Sequence, residues 1–191
     1  MSGRPDELTL AAWLDAVAAP TPTPGGGGAA ATTTALAAAL VAMAARIARD
    51  ADGAPEIAER VDAIRGRALE LAVEDAAAYT RVLGAYRLPE GSPGRWEQIT
   101  TALEEASCVP LEIAESAAEV ARLAADIAER GKDALLGDAA TAAHLAVAAA
   151  RSAAGLVVIN ARYGELGPLT PDRARAAVST AESALAALPA P

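Results

Sequence analysis

The sequence contains no phenylalanine, and aromatic residues make up only 3% of its 191 residues. A core of stacked rings is therefore excluded, and alanine dominates almost every segment instead. Alanine has the highest helix propensity of the common residues and a poor propensity for strands. The composition predicts an all-α fold, a single-domain bundle of about six helices over residues 1–191, and small side chains would let these helices pack closely. We expect such a thin bundle to complete its burial by forming a dimer.

Cysteine and histidine are almost as scarce, since Cys108 and His144 are the only residues of their kinds. A disulfide within the chain is impossible, which fits a cytoplasmic protein, and the first ten residues lack the pattern of a signal peptide. One histidine and one cysteine do not make the usual ligand sets for a metal ion, nor a Ser/His/Asp or Cys/His catalytic group. The sequence predicts no metal site.

Positive charge is in deficit, with a formal net charge of −9. The arginines and the single lysine are scattered among 25 acidic residues, so nothing resembles the basic patch of a nucleic-acid-binding protein. Residues 29–45 carry no charge, but alanine and threonine make this stretch weaker than the roughly 20 strongly apolar residues of a membrane span. We expect a buried helix there and no contact with a membrane.

Proline, glycine and capping residues divide the chain into helices with no convincing strand between them. The predicted helices cover approximately residues 8–19, a segment from within the glycines to about 50, 55–87, 93–130 with Pro110 in its interior, 138–161, and 170 to just before the final "LPAP".

The predicted third helix has an apolar stripe with one polar member. Ile57, Val61, Ile64, Ala68, Leu71, Asp75, Ala78 and Val82 follow one another at spacings of four and three, which is typical of a packed helix face. Asp75 thus occupies a core position, where an isolated charge is costly. Two interpretations remain open at this point: a structural aspartate bonded to an arginine or hydroxyl, and a general acid/base in a pocket between helices.

The predicted fifth helix carries a similar stripe of seven residues, which we expect to face inward: Asp138, Thr141, Leu145, Ala148, Ser152, Gly155 and Ile159. Asp138 at its start is typical of a helix N-cap, and this is the favoured interpretation over a ligand-binding role.

The most unusual segment is Pro24-Gly25-Gly26-Gly27-Gly28, which continues directly into a helix of small residues. Free backbone N–H groups at a helix N-terminus suit an anion or the polar edge of a ligand. The segment is not a phosphate-binding loop, because no Gly-Lys-Ser/Thr follows and no strand precedes it. A flexible linker is the alternative, but glycine also permits close approach of the backbone to another group.

Four segments, in this order and spacing, resemble the cyclodeaminase/cyclohydrolase family, which includes the cyclodeaminase half of formiminotransferase-cyclodeaminase. These segments are "PTPGGGGAAA", "EDAAAYTRVLGAYRLPE", "CVPLEIAE" and "GDAATAAHLAVAAARSAAGLVVINARY". The resemblance implies an all-helical homodimer that binds a tetrahydrofolate derivative without a metal or redox cofactor. It places the family's proton donor and acceptor on Asp75.

The resemblance also implies an activity, most simply hydrolysis of 5,10-methenyltetrahydrofolate to 10-formyltetrahydrofolate, with cyclodeaminase activity or a non-catalytic folate-binding role as alternatives. The predicted substrate-binding residues are Pro24, Gly25, Gly26, Gly27, Arg87, Asp138 and Asn160, with Arg87 as the partner of a folate-tail carboxylate. The chain departs from the family pattern at Gly28, where serine is usual, and at Leu156, where asparagine is common. A lost hydroxyl and a lost amide would alter how the substrate is placed.

Overall fold

The computed structural model describes residues 5–131 and 133–189. This part of the chain is helical and contains no strand. Its six α-helices are α1 (Leu10–Ala18), α2 (Gly26–Ile47), α3 (Ala54–Tyr86), α4 (Arg95–Arg130), α5 (Leu136–Gly164) and α6 (Leu169–Ala186), with short 3₁₀ turns at Pro5–Glu7 and Asp133–Leu135. The predicted all-α class, the number of helices and their approximate bounds are confirmed.

Local sequence explains where the long helices begin. Both α3 and α4 follow a glycine with positive φ, Gly53 at 76° and Gly94 at 73°, a conformation that other residues adopt at a cost. Pro55 then lies in the first turn of α3, where its missing N–H needs no partner within the helix. Pro110 lies deep within α4, yet the helix continues through it to Arg130.

The helices α3 and α5 both pack against α2 and α4, which also contact each other, and α6 lies against α4 and α5. Alanine forms most of the interior: Ala31, Ala37 and Ala38 of α2 are completely buried, and so are many alanines of α4 and α5. The larger buried residues include Leu71, Ile99, Ile113 and Ile127. The α3 stripe lies in this core as predicted, with Asp75 half-buried among its apolar members.

Two predictions about α5 are wrong. Asp138 is not the N-cap, because the 3₁₀ turn at Asp133–Leu135 runs directly into the helix, which begins two residues earlier, after Leu135. The predicted inward stripe does not face the core of the chain either: Thr141, Ala148, Ser152 and Ile159 are exposed. Alanine occurs on every side of α5, so apolar spacing could not indicate which face is buried.

Two helical segments are long and apolar enough to cross a membrane by length and composition, Gly26–Ile47 and Asp133–Gly164. In the first, 61% of the most apolar window is buried inside the protein, which favours the predicted core helix. Four of the residues of α2 that are not fully buried form a partly exposed apolar stripe: Leu36, Leu40, Met43 and Ile47, at spacings of four, three and four.

Candidate active site

A cavity of about 310 Å³ opens where the segment before α2 meets α2, α3, α4 and α5. The segment and α2 contribute Pro22, Thr23, Gly25, Gly26 and Gly27, α3 contributes Asp75 and Tyr79, α4 contributes Ala106 and Pro110, and α5 contributes Leu156, Ile159 and Asn160. Asp75 is the only ionisable carboxyl group among these lining residues. A cavity with mostly apolar walls and a few convergent polar groups is typical of small-molecule sites.

The carboxyl group of Asp75 lies at the N-terminal end of α2. Burial raises its pKa above the ordinary value of 3.8, and the backbone N–H of Gly28 partly offsets this by favouring the charged form. The ion pairs formed within residues 5–131 and 133–189 do not include Asp75. The structural interpretation with an arginine partner therefore finds no support, and the group that favours the charged form of Asp75 is the backbone N–H of Gly28 at the start of α2.

Gly27 explains why the chain is bare at this point. A Cβ atom added at Gly27 would overlap both carboxylate oxygens of Asp75, so a side chain there is incompatible with the position of the carboxyl group. Gly26 is less constrained, since its Cβ would lie 3.8 Å from the Leu156 side chain, an ordinary contact. The absence of a side chain at Gly27 thus lets the carboxylate approach the backbone of α2, as the close-approach interpretation predicts.

The two departures from the family pattern lie in different surroundings. A Cβ at Gly28 would point toward the Trp13 ring, 3.4 Å from its Cη2 atom, and toward Pro24. Gly28 does not line the cavity, so a side chain there would meet Trp13 rather than a ligand beside Asp75. Leu156 does line the cavity, where it replaces a hydrogen-bonding amide by an apolar wall.

Asn160 projects from α5 and is anchored to α4. Its Nδ2 atom donates a hydrogen bond to the backbone carbonyl of Ala106, at 3.1 Å. Ala106, Asn160 and Pro110 all line the cavity. The amide is thereby held beside the space that Asp75 faces.

The structure brings together most of the residues that the sequence predicted for the site. Asp75, Gly25, Gly26, Gly27 and Asn160 line the one cavity. Pro24 lines a neighbouring cavity of about 300 Å³ instead, together with Trp13 and Ala72. The Thr23–Pro24 peptide bond is cis.

Arg87 and Asp138 do not line the cavity of the single chain. Arg87 follows the end of α3 and is exposed, twelve residues or about 18 Å along the helix axis from Asp75. Asp138 lies in the first turn of α5, about 27 Å along that helix from Leu156. Their roles in substrate binding stay predictions.

Sequence reasoning missed several lining residues. Tyr79 is four residues after Asp75, and positions i and i+4 share a helix face, so this spacing could have revealed it. Pro110 was noted only as a proline inside the fourth helix and as part of a family segment, and Ala106 gave no signal. Their place beside the cavity depends on how α4 crosses α3 and α5. No group of three or more histidine, cysteine, aspartate or glutamate residues within the described ranges is arranged to hold a metal ion.

The fold and the site together define a class of protein: an all-helical bundle with a half-buried aspartate set against a glycine-rich helix start. Comparison with known proteins gives this class its family. The model of the formiminotransferase-cyclodeaminase family matches residues 9–165, so the chain belongs to this family and the resemblance seen in the sequence is confirmed.

Two relatives show what this family includes. A methenyltetrahydrofolate cyclohydrolase of Methylorubrum extorquens is 36% identical over 166 residues, covering 81% of this chain and 79% of the relative. The crystal structure of a formiminotetrahydrofolate cyclodeaminase from Thermotoga maritima matches with a TM-score of 0.85 at 27% identity, covering 95% of this chain and 94% of that one. Both relatives are enzymes of folate one-carbon chemistry by name.

Proposed function

We propose that the protein hydrolyses 5,10-methenyltetrahydrofolate to 10-formyltetrahydrofolate, with Asp75 as the proton acceptor and donor. The observation that carries this proposal is the Asp75 carboxyl group, half-buried in a cavity without an ion-pair partner among the described residues and with a raised pKa. Groups with such a perturbed pKa in a cleft are candidates for acid/base catalysis. The cyclohydrolase relative from Methylorubrum extorquens supports the choice of reaction.

The proposed hydrolysis requires a water molecule and one group that can both accept and donate a proton, and Asp75 is such a group. The one-carbon unit of the substrate is a cationic amidinium, so its carbon is already electrophilic. Water adds to that carbon while the Asp75 carboxylate takes a proton from it. The same group then protonates the ring nitrogen N5 as the bond between N5 and the carbon breaks. The hydroxyl group on that carbon loses its proton to solvent water, which leaves a neutral formyl group on N10. One carboxylate acting in turn as base and acid is an established pattern of catalysis.

Charge and volume are consistent with this substrate. A cationic carbon would be attracted by the Asp75 carboxylate, which in turn would favour the charged form of the aspartate. The cavity volume of about 310 Å³ is at the lower end of the range for small-molecule sites, roughly 300–1,000 Å³. We propose that it holds the fused-ring head of the folate while the tail extends outward, where Arg87 is the candidate partner for a tail carboxylate.

Cyclodeaminase activity is the second candidate, favoured by the likeness to the Thermotoga maritima enzyme. In that reaction N10 of the folate attacks a formimino carbon, and Asp75 would transfer a proton to the departing ammonia. A helical protein that binds folate without turnover is the third candidate. All three place the ligand beside Asp75, but only the first two require its ionisable group.

A second copy of this chain is the proposed partner. The stripe on α2 includes Leu36 and Ile47, which are 56% and 53% exposed, and the neighbouring helix α5 exposes Ile159 and Tyr163. Apolar side chains in such number on adjacent helices favour burial against another subunit. Sedimentation equilibrium tests this: a monomer at micromolar concentration would contradict it.

The decisive experiment follows the near-ultraviolet absorbance of 5,10-methenyltetrahydrofolate, which falls on hydrolysis. We expect the protein to bleach it faster than buffer alone, and an Asp75→Asn preparation to do so at least 10²-fold more slowly. Ammonia release from 5-formiminotetrahydrofolate distinguishes the cyclodeaminase. Stabilisation by folate, about 2.7 kcal/mol at one hundred times the dissociation constant, without turnover of either compound would leave the binding protein.

A further inference from the structure

Pro110 lies in the interior of α4 and is buried beside the cavity. Proline has no backbone N–H, so it cannot donate the helical hydrogen bond to the carbonyl four residues earlier, which belongs to Ala106. A buried carbonyl without a donor is costly, and native structures rarely leave one unpaired. The proline therefore creates a requirement for a donor from another part of the chain.

Asn160 supplies that donor from α5. The hydrogen bond from its Nδ2 atom to the Ala106 carbonyl, 3.1 Å long, joins the two helices at the wall of the cavity. A carbonyl oxygen can only accept, so this partner determines which end of the amide faces α4. The nitrogen is turned toward Ala106, so the oxygen Oδ1 is the amide atom that does not face this carbonyl.

We propose that Pro110 is a positioning residue: by freeing the Ala106 carbonyl it holds the Asn160 side chain with Oδ1 presented as a hydrogen-bond acceptor to the ligand. Asn160 thus selects an N–H donor on a flat heterocycle, because the walls beside it, Leu156, Ile159 and Pro110, are apolar. The amino-pyrimidinone edge of a reduced pterin has such N–H groups. The identity of the ligand rests on the proposed function; the orientation of the amide does not.

A stability cycle tests the positioning without any ligand. Asn160→Asp replaces the donor by a carboxylate that cannot donate to the Ala106 carbonyl, so we expect the melting temperature to fall. In a Pro110→Ala background, the new alanine provides its own N–H to that carbonyl, and the fall caused by Asn160→Asp should shrink to less than half. Pro55→Ala is the matched control, an exposed proline in the first turn of α3, and should leave the full effect.

Equal effects of Asn160→Asp in all three backgrounds would overturn the positioning. Because alanine favours a helix interior, Pro110→Ala is expected to fold. If the double variant does not fold, hydrogen exchange of the Asn160 side-chain NH₂ group decides instead: it should be faster in Pro110→Ala than in wild type. Unchanged exchange would contradict the proposal.

Kinetics with 5,10-methenyltetrahydrofolate tests the acceptor. We expect Pro110→Ala to raise KM about tenfold with little change in kcat, since the lost contact is made in the ground state and in the transition state alike. Pro55→Ala should keep the wild-type KM. An unchanged KM in Pro110→Ala would remove the acceptor role. If the wild-type protein neither binds nor converts the folate, the proposed function fails, and the stability cycle alone still decides the orientation of Asn160.

Discussion

Glu74 and Asp75 are consecutive carboxylates on α3, and their surroundings differ completely. Glu74 accepts hydrogen bonds from the Arg67 guanidinium, at 2.6 and 3.0 Å, on a partly exposed seam where Arg67 also pairs with Glu112 of α4. Asp75 faces the other way, into the cavity, and meets a backbone amide of α2. One helix thus carries a carboxylate paired with arginine on its surface and a cavity carboxylate without an ion-pair partner in the described part of the chain.

If Asp75 is the proposed acid/base, this difference separates the ion pairs that join the helices from the group that performs the chemistry. Arginine–glutamate pairs such as Arg60 with Glu119 and Arg173 with Glu115 join the helices at partly exposed positions, where each pair contributes about 0–1 kcal/mol. The cavity carboxylate is kept apart from these arginines. A general acid/base needs a pKa near the working pH, and a neighbouring guanidinium would lower it.

The largest expected effect comes from closing the space that Asp75 occupies. Gly27→Ala should abolish turnover, because the new methyl group overlaps the Asp75 carboxylate. It should also lower the unfolding free energy by about 1–3 kcal/mol, since the packed helices must shift to make room. Gly66→Ala in α3 is the control. Its Cβ meets nothing within 4 Å, so it should stabilise the protein by about 0.5–1 kcal/mol and leave turnover unchanged. A fully active Gly27→Ala variant would contradict the geometry.

Exchanging each carboxylate for its amide compares the two neighbours directly. Asp75→Asn should lower turnover by 10²-fold or more while the melting temperature stays equal or rises, since a half-buried charge is removed and the amide oxygen can still accept from Gly28. Glu74→Gln should cost at most about 1 kcal/mol and leave turnover intact. A destabilised but active Asp75→Asn protein would take Asp75 out of the mechanism.

The smallest expected effect is on the pH dependence of stability, which should have opposite signs for Asp75 and Glu119. Burial raises the pKa of Asp75 above 3.8, so ionisation of this group disfavours the folded state. Asp75→Asn and wild type should be equally stable below pH 3.8, and the variant should become the more stable protein as pH rises through the folded pKa of Asp75.

The opposite dependence is expected for Glu119. Hydrogen bonding to Arg60 lowers the pKa of Glu119 below 4.5, so this carboxylate contributes stability above pH 4.5 that is lost as pH falls through its folded pKa.

Melting curves of Asp75→Asn and Glu119→Gln across pH 3–7 would therefore diverge from wild type in opposite directions. Glu119→Gln should be the less stable protein near neutrality, by at most about 1 kcal/mol, because the pair is partly exposed. Parallel curves for the two variants would show that the electrostatic contrast between site and surface is absent.

How much could be predicted from the sequence depended on chemical contrast along each helix. On α3, charged residues separate the apolar ones, so spacing alone identified the buried face and showed that Asp75 is its one polar member. On α5, alanine occupies buried and exposed positions alike, and the predicted inward face was the wrong one. Helix length alone could have shown that Arg87 and Asp75 are far apart on one helix.

Contacts between helices lay beyond such reasoning. Residue 27 of α2 must be glycine because of the Asp75 carboxylate on α3. The hydrogen-bond partner of Asn160 on α5 is the Ala106 carbonyl on α4, which Pro110 leaves without a helical donor. The family resemblance supplied Asp75, Asn160 and the glycines as a set, but it did not indicate that Gly28 faces Trp13 or that Leu156 forms the cavity wall.

The alanine interior gives this protein an unusual relation to mutation. Substitutions in an ordinary core often shorten a side chain and leave a void, but a buried alanine can lose only one methyl group. Nearly every other change at Ala31, Ala114 or Ala146 adds atoms where none fit. Most random core substitutions in this bundle are therefore expected to destabilise it by overpacking rather than by leaving cavities. Selection must then preserve the close spacing of the helices.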